Sequence, residues 1–327
     1  MESTQATKHN MEERVLSITV LGVGQDGINA VGAIHQHGIP GVHCAVADVD
    51  VAALQKSPVP TKRVLSTVGQ PTRLVAVHGT NIVEGDALGE LIPFSTWVLF
   101  IIAGLAKASD TLGIDLIADA YRQKTASLPE KERPLIVCLL SLPHASQGDN
   151  SNPPTENTIA LLKDATDATL IIDRNKLYTL VDPASHDALL ISHDMMLNAV
   201  QSIASFLPND RYLDGDFKEL ANMMRRSGHT CLGFGTGEGH QRAAQALDGA
   251  YHSPLFNPDT FHTAHHVLVS ITTSTPNEPA YTEVLAITNA LKERFGNPNI
   301  DIMWTDRYDE SLGDKLQITL IGLGCDA

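Results

Sequence analysis

Apolar residues occur along this chain in two formats, short runs and longer stretches at helical spacing. Val15 to Leu21, Gly41 to Val49, Trp97 to Ala103, Leu135 to Leu140 and Ala168 to Ile172 are the runs. The third and fourth are unbroken and the others are interrupted by only one or two polar residues each, the pattern of parallel strands covered on both faces. Helical spacing follows the first run, from about Ile28 to His37, and the third, from Leu112 to Tyr121. The alternation predicts a β–loop–α–β start and a parallel sheet in the first half. Residues 1–13 read as a polar, disordered tail, and Gln55 to Arg73, rich in proline, lysine and threonine, as irregular. Gly148-Asp-Asn-Ser-Asn-Pro-Pro154 reads as a mobile loop.

From Asp187 to Leu207 a single long pattern places Leu189, Leu190, Met195, Met196, Ala199, Val200, Ile203 and Phe206 at helical spacing, and Pro208 is expected to stop it. A helix apolar over so much of its surface is expected between two bodies. Strands near 230–235, 266–272, 299–304 and 315–322, with one or two helices among them, form a second α/β layer. The expected organisation is a tail (1–13), a Rossmann-like parallel-sheet domain of nucleotide-binding type (14–186), a central helix (187–207) and a second α/β domain (208–327).

Composition narrows the functional classes. The 327 residues allow two cores. The formal charge of −15 argues against nucleic acid as a partner. No apolar run approaches the ~20 residues needed to span a bilayer, so no membrane insertion is expected and a cytoplasmic location is. The four cysteines (Cys44, Cys138, Cys231, Cys325) are scattered singly and read as small buried hydrophobes. His35-Gln-His37 and His262-Thr-Ala-His265-His266 lack an acid or thiol at ligand spacing, and no metal site is assigned.

Two loops carry candidate chemistry. Gly22-Val-Gly24-Gln25-Asp26-Gly27, between a strand and a helix, matches a dinucleotide fingerprint, with Asp48 and Asp50 where a ribose-binding acid belongs. Close helix–strand packing alone also requires glycine at such positions. The second loop, Gly104-Leu-Ala-Lys107-Ala-Ser109-Asp-Thr111-Leu-Gly113, lies between a strand and a helix, where free N–H groups would seat a phosphate. Side chains and an acid occupy it instead.

Several segments in order resemble FtsZ, the bacterial relative of tubulin. Leu21-Gly-Val-Gly-Gln-Asp-Gly-Ile-Asn29-Ala-Val31 resembles the first nucleotide loop, Ala45-Val-Ala-Asp-Val-Asp50 the second, and Ser141-Leu-Pro143 with Gly148 the fifth. Leu197-Asn-Ala-Val-Gln201 with Ile203 is similar to the central helix. Cys231-Leu-Gly-Phe-Gly-Thr-Gly-Glu-Gly-His-Gln-Arg242, Ser253-Pro-Leu255 and Asp309-Glu-Ser-Leu-Gly-Asp-Lys-Leu-Gln-Ile-Thr319 resemble the second domain. The resemblance covers residues 15–325 and implies a tubulin/FtsZ-like fold. It also implies GTP or GDP as ligand, with magnesium only alongside a nucleotide, and head-to-tail self-assembly.

By resemblance, Asp216 and Glu219 in Asp214-Gly-Asp-Phe-Lys-Glu-Leu are the carboxylates that act on a neighbour's terminal phosphate. The same acids would suit the start of a helix. Nucleotide contacts would fall on Gly22, Gly24, Gln25, Asp26, Gly27, Asn29, Gly104, Lys107, Ser109, Thr111, Glu156, Arg174 and His193. Of these, Glu156 matches a ribose-side position, and His193 stands where the family has an Asn or Asp that reads guanine. Gln25, Asp26 and Ile28 replace glycines, the 104–111 loop keeps only Thr111 identical, and no glycine-rich third loop occurs between Leu65 and Gly79.

These departures imply weak or lost GTP binding in a filament-forming protein, with Lys107 or Arg174 pairing a neighbour's Asp216 or Glu219. An active GTPase with a rebuilt cradle and a dinucleotide-binding enzyme stay open. The chain stops soon after its last strand without the usual adaptor-binding peptide, which leaves a second filament protein as a possible partner.

Overall fold

The computed structural model describes residues 17–66, 73–78, 81–83, 87–105, 108–143, 156–177, 187–207, 214–225, 227–256, 258–275, 279–295 and 299–325. The expected tail, the 148–154 loop and Lys107 lie outside these residues. In chain order the first half carries β1 (Ser17–Val23), α1 (Gly24–His37), β2 (Val42–Asp48), α2 (Val51–Lys56), β3 (Thr61–Ser66), β4 (Arg73–His78), β5 (Asn81–Val83) and α3 (Ala87–Leu91). It continues through β6 (Thr96–Gly104), α4 (Ala108–Thr125), β7 (Leu135–Leu142), α5 (Glu156–Ala165), β8 (Ala168–Asp173) and α6 (Arg174–Leu177). Then come α7 (Asp187–Ala204), α8 (Asp214–Met224), β9 (Gly228–Glu238), α9 (Arg242–Tyr251), α10 (Pro258–Phe261), β10 (His266–Thr273), α11 (Tyr281–Phe295), β11 (Asp301–Tyr308) and β12 (Lys315–Leu323).

The described strands form one 12-stranded sheet in the order β11-β10-β12-β9-β8-β7-β6-β1-β2-β3-β4-β5. Pairing from β3 through β2, β1, β6 and β7 to β8 is parallel throughout. The expected second layer is no separate sheet, because β9 continues the first by pairing with β8 over Ala168–Leu170. The stretch from Gln55 to Arg73 is also more regular than its composition suggests: it holds the end of α2 and all of β3, which pairs with β2.

The apolar runs have the reason expected of them. Alternate residues of β1 and β6 feed opposite faces, Val20 and Phe100 into one core and Leu21 and Ile101 into another. The first core runs without interruption from Val137 through Met196 and Val200 of α7 to Leu268 and Ile321, so the central helix binds both halves to one interior. Met196, Ala199, Val200 and Ile203 are buried, and the helix ends at Ala204, just ahead of Pro208. On the other face, Ile114 and Ile117 of α4 cover the first half and Ala246, Leu247 and Ile287 of α9 and α11 the second. Polar links add to this joint. Gln201 of α7 contacts His37 Nε2 at 2.9 Å and accepts from Arg307 Nη2 at 2.5 Å.

The glycine-rich stretch of β9 is explained by α9. A β-carbon on Gly233, Gly235 or Gly237 would lie 2.0–2.3 Å from a carbonyl oxygen of α9, at Ala250, Ala246 and Arg242 respectively. The helix therefore rests directly on the strand's backbone, and alternation by two along the strand matches one turn along the helix.

All four cysteines are free and buried, as their apolar surroundings predict. Spacing did not reveal that Cys231 and Cys325 meet: they share a hydrogen bond, and that contact, followed by burial, pushes the Cys231 thiol far up. Cys231 is therefore no reactive thiolate.

Candidate functional site

Parallel strands β1, β6, β7 and β8 end at one edge, the place where ligands collect in such sheets. The chain leaves β1 through Gly24, whose φ of 71° is in the left-handed region. Gly22 and Gly27 serve close approach. A β-carbon on Gly27 would lie 2.2 Å from Ile102 O, and one on Gly22 would lie 2.4 Å from Gly27 O. The glycines of the fingerprint thus fix α1 hard against β1 and β6. Val23 precedes α1 without a side-chain cap, and Asp26 supplies the negative charge of the first turn.

Asp26 lies over the end of β6. A β-carbon on Gly104 would fall 2.3 Å from Asp26 Oδ2, so glycine at 104 makes room for this carboxylate. The same oxygen lies 2.9 Å from Arg174 Nη2 and 3.5 Å from Ser141 Oγ. Arg174 is only 2% exposed and Asp26 24%. Arg174 Nε also donates to Leu142 O at 3.0 Å, and Asn175 Nδ2 to Pro143 O at 3.4 Å. One ion pair therefore ties α1, the exit of β7 and the start of α6 together over the end of β6.

His193 of α7 stands beside this pair, 9% exposed, and its Nε2 has no hydrogen-bond partner among the described residues. Burial holds its pKa below 6.5; the Asp26 charge opposes that and the Arg174 charge adds to it. A neutral ring results at pH 7. His193 also borders an open cavity of about 430 Å³ between α1, α2 and α7, with Gln25, Asn29, Gly32, Asp50 and Lys56 on its walls.

The other expected residues fall as follows. Gln25 and Asn29 are exposed and bonded to each other at 3.0 Å. Ile28 is buried in the core. Ser109 and Thr111 lie in the first turns of α4, and Glu156 opens α5. Asp216 and Glu219 sit on α8, with Glu219 exposed. Arg174 is not open to a neighbour's acid, contrary to the expected pairing, because Asp26 holds it inside. The acids of the dinucleotide reading are engaged with backbone: Asp50 accepts from Ala52 and Ala53 N–H as the cap of α2, and Asp48 accepts from Asp50 N–H. Among the described residues no group of three metal-ligating side chains converges.

Comparison with known proteins matches this architecture. The profile of the FtsZ family's C-terminal domain matches residues 228–326. The cell division protein FtsZ of Mycoplasmopsis pulmonis is 27% identical over 316 residues, covering 94% of this chain and 77% of the relative. FtsZ of a Wolbachia species is 25% identical over 320 residues, covering 94% and 79%. Among solved structures, an empty FtsZ dimer from M. jannaschii superposes with a TM-score of 0.73 at 21% identity, covering 99% of this chain and 92% of that one. The C-terminal third matches the FtsZ family's C-terminal domain, and the whole chain is FtsZ-like in sequence and fold. CetZ2 from Haloferax volcanii, solved as a GTPγS-bound protofilament, shares the fold with a TM-score of 0.63 at 18% identity, covering 95% and 94%.

Within this FtsZ-like chain, the Asp26–Arg174 pair is the feature that reading the sequence did not foresee. Both residues stood out singly as expected nucleotide contacts, Asp26 also as the replacement of a glycine. Only the parallel order β1-β6-β7-β8 brings residue 26 to residue 174.

Proposed function

We propose that this chain is an FtsZ/tubulin-like cytoskeletal protein that assembles head to tail into filaments and binds GTP weakly or not at all in the family's pose. The observation that carries the reading is the Asp26 carboxylate over Gly104, paired with buried Arg174. A phosphate at that edge would meet an anion already holding the cation. Losing three backbone donors to a charged group would cost roughly 5–9 kcal/mol, about three to six decades in affinity. The residues present do not fit a triphosphate with magnesium, so no hydrolytic step is derived through them.

Assembly is supported by the fold and by the acids of α8. Asp216 and Glu219 belong to the segment that would face the next copy, and a heterologous contact of this kind propagates into an open polymer. Structural neighbours include CetZ2 and a TubZ of Bacillus thuringiensis, each solved as a GTPγS-type protofilament. No described helix is long and apolar enough to cross a membrane; together with the FtsZ relatives this supports work in the cytoplasm, alone or beside a second filament protein.

The test pairs electron microscopy of the purified protein without nucleotide with calorimetry against GTP and magnesium. Filaments without nucleotide and no measurable heat are expected. Stoichiometric GTP binding with phosphate release would overturn the altered-grip reading in favour of an active GTPase. Monodisperse particles across salt and protein concentration would overturn assembly.

A further inference from the structure

At the opposite end of the sheet, where β7 and β8 begin, three guanidiniums meet. Arg122 comes from the last turn of α4, Arg133 from the segment before β7, and Arg225 directly follows α8. They line a cavity of about 140 Å³ together with Asp167 and Glu130. In a chain with 23 basic and 38 acidic residues, this local excess of cations reverses the average.

The negative groups nearby are only partly available to them. Asp167 is buried, and its Oδ2 accepts the backbone N–H of Ile136 at 2.9 Å. Its Oδ1 is 3.9 Å from Arg122 Nη2, beyond hydrogen-bond length. Glu130 is exposed. The hydrogen bonds of two of the arginines go to carbonyls instead: Arg133 Nε and Nη2 donate to Leu128 O and Ala126 O, both at 3.0 Å, and Arg225 Nη2 donates to Arg133 O. Arg133 thereby covers two carbonyls of the turn that follows α4. Burial depresses the Arg225 pKa, opposed by Asp167 and Glu130 and reinforced by Arg133 and Arg122.

We propose that this cavity binds a single tetrahedral oxyanion of the phosphate type, gripped by Arg122 and Arg225 with Arg133 behind them. Each guanidinium carries five N–H donors in a planar fork suited to such an anion, and among the described residues the nearest carboxylate oxygen given for Arg122, Asp167 Oδ1, stands 3.9 Å away. The volume admits one oxyanion together with water. This site is independent of the Asp26–Arg174 pair and lies at the other end of the strands.

The test is thermal unfolding in rising inorganic phosphate, against chloride at matched ionic strength. A saturable rise in Tm specific to phosphate is expected. Arg122→Gln, at an exposed position, should weaken the apparent phosphate affinity on the order of tenfold or more. Arg225→Gln should do the same, and should it fail to fold, Arg122→Gln decides alone. A rise no larger than with chloride, or one unchanged in Arg122→Gln, would overturn the proposal.

Discussion

Arg174 Nη2 lies 2.9 Å from Asp26 Oδ2, and this contact closes the ligand edge of the sheet with a protein charge pair. Arg174 is almost wholly buried, so removing its partner strands a cation in a poorly solvated place. Such losses reach ~3–5 kcal/mol when both groups are buried. Asp26 is a quarter exposed, and water screens part of the effect. Asp26→Ala should therefore cost about 2 kcal/mol in urea unfolding. A cycle with Arg174→Ala should return a coupling of ~1–2 kcal/mol; additive losses would show that the pair does not act as a unit.

The same contact predicts a gain of function. Gln25→Gly with Asp26→Gly removes the carboxylate over Gly104 and leaves Arg174 facing the emptied seat. Calorimetry should then find GTP bound at least about tenfold more tightly than by the natural chain, equivalent to one charge-assisted hydrogen bond. Equal affinity in the two proteins would mean that Asp26 is not what keeps the phosphate out.

How much of this was legible beforehand depends on the range of the interaction. The strands of the first sheet half were readable because both faces are buried, which leaves unbroken runs such as Trp97 to Ala103. The central helix was readable from its apolar surface. β3 was not, because Thr61-Lys-Arg63 is polar and owes its strand state to pairing with β2, a tertiary effect. The fingerprint glycines were visible, yet their reason was divided between phosphate approach and packing until Gly27 was seen against Ile102 O. The Asp26–Arg174 pair and the arginine cavity join residues far apart in sequence, and no local pattern encodes such a meeting.

Two glycines separate collision from conformational strain. A β-carbon on Gly235 would lie 2.0 Å from Ala246 O and 2.2 Å from Ala250 N, backbone that has no room to yield. Gly235→Ala should cost about 3 kcal/mol or more by forcing α9 off β9. Gly38 ends α1 at a φ of 76° with nothing within 4 Å of an added β-carbon. Gly38→Ala should cost only about 1–2 kcal/mol, from the left-handed backbone alone. Chemical denaturation of the two variants should rank them in that order.

Acid should weaken the fold in two stages. His43, His193 and His229 all have pKa values held below 6.5, with burial the first cause in each. Their folded forms resist protons that the unfolded chain accepts. Stability from these rings is therefore complete above about pH 6.5 and falls as the pH drops below it, by up to ~1.4 kcal/mol per unit and group. Glu283 acts at lower pH. Its carboxylate is held below 4.5 chiefly by hydrogen bonds from Arg242, at 2.8 and 3.2 Å. That contribution is complete above about pH 4.5 and is lost as the pH falls through the lowered value. Tm should thus decline between about pH 7 and 5.5, before Glu283 titrates. His193→Gln should lessen that first decline by one ring's share and leave the second in place, because Gln carries no proton to refuse. A Tm independent of pH over the first interval would contradict the burial of these three rings.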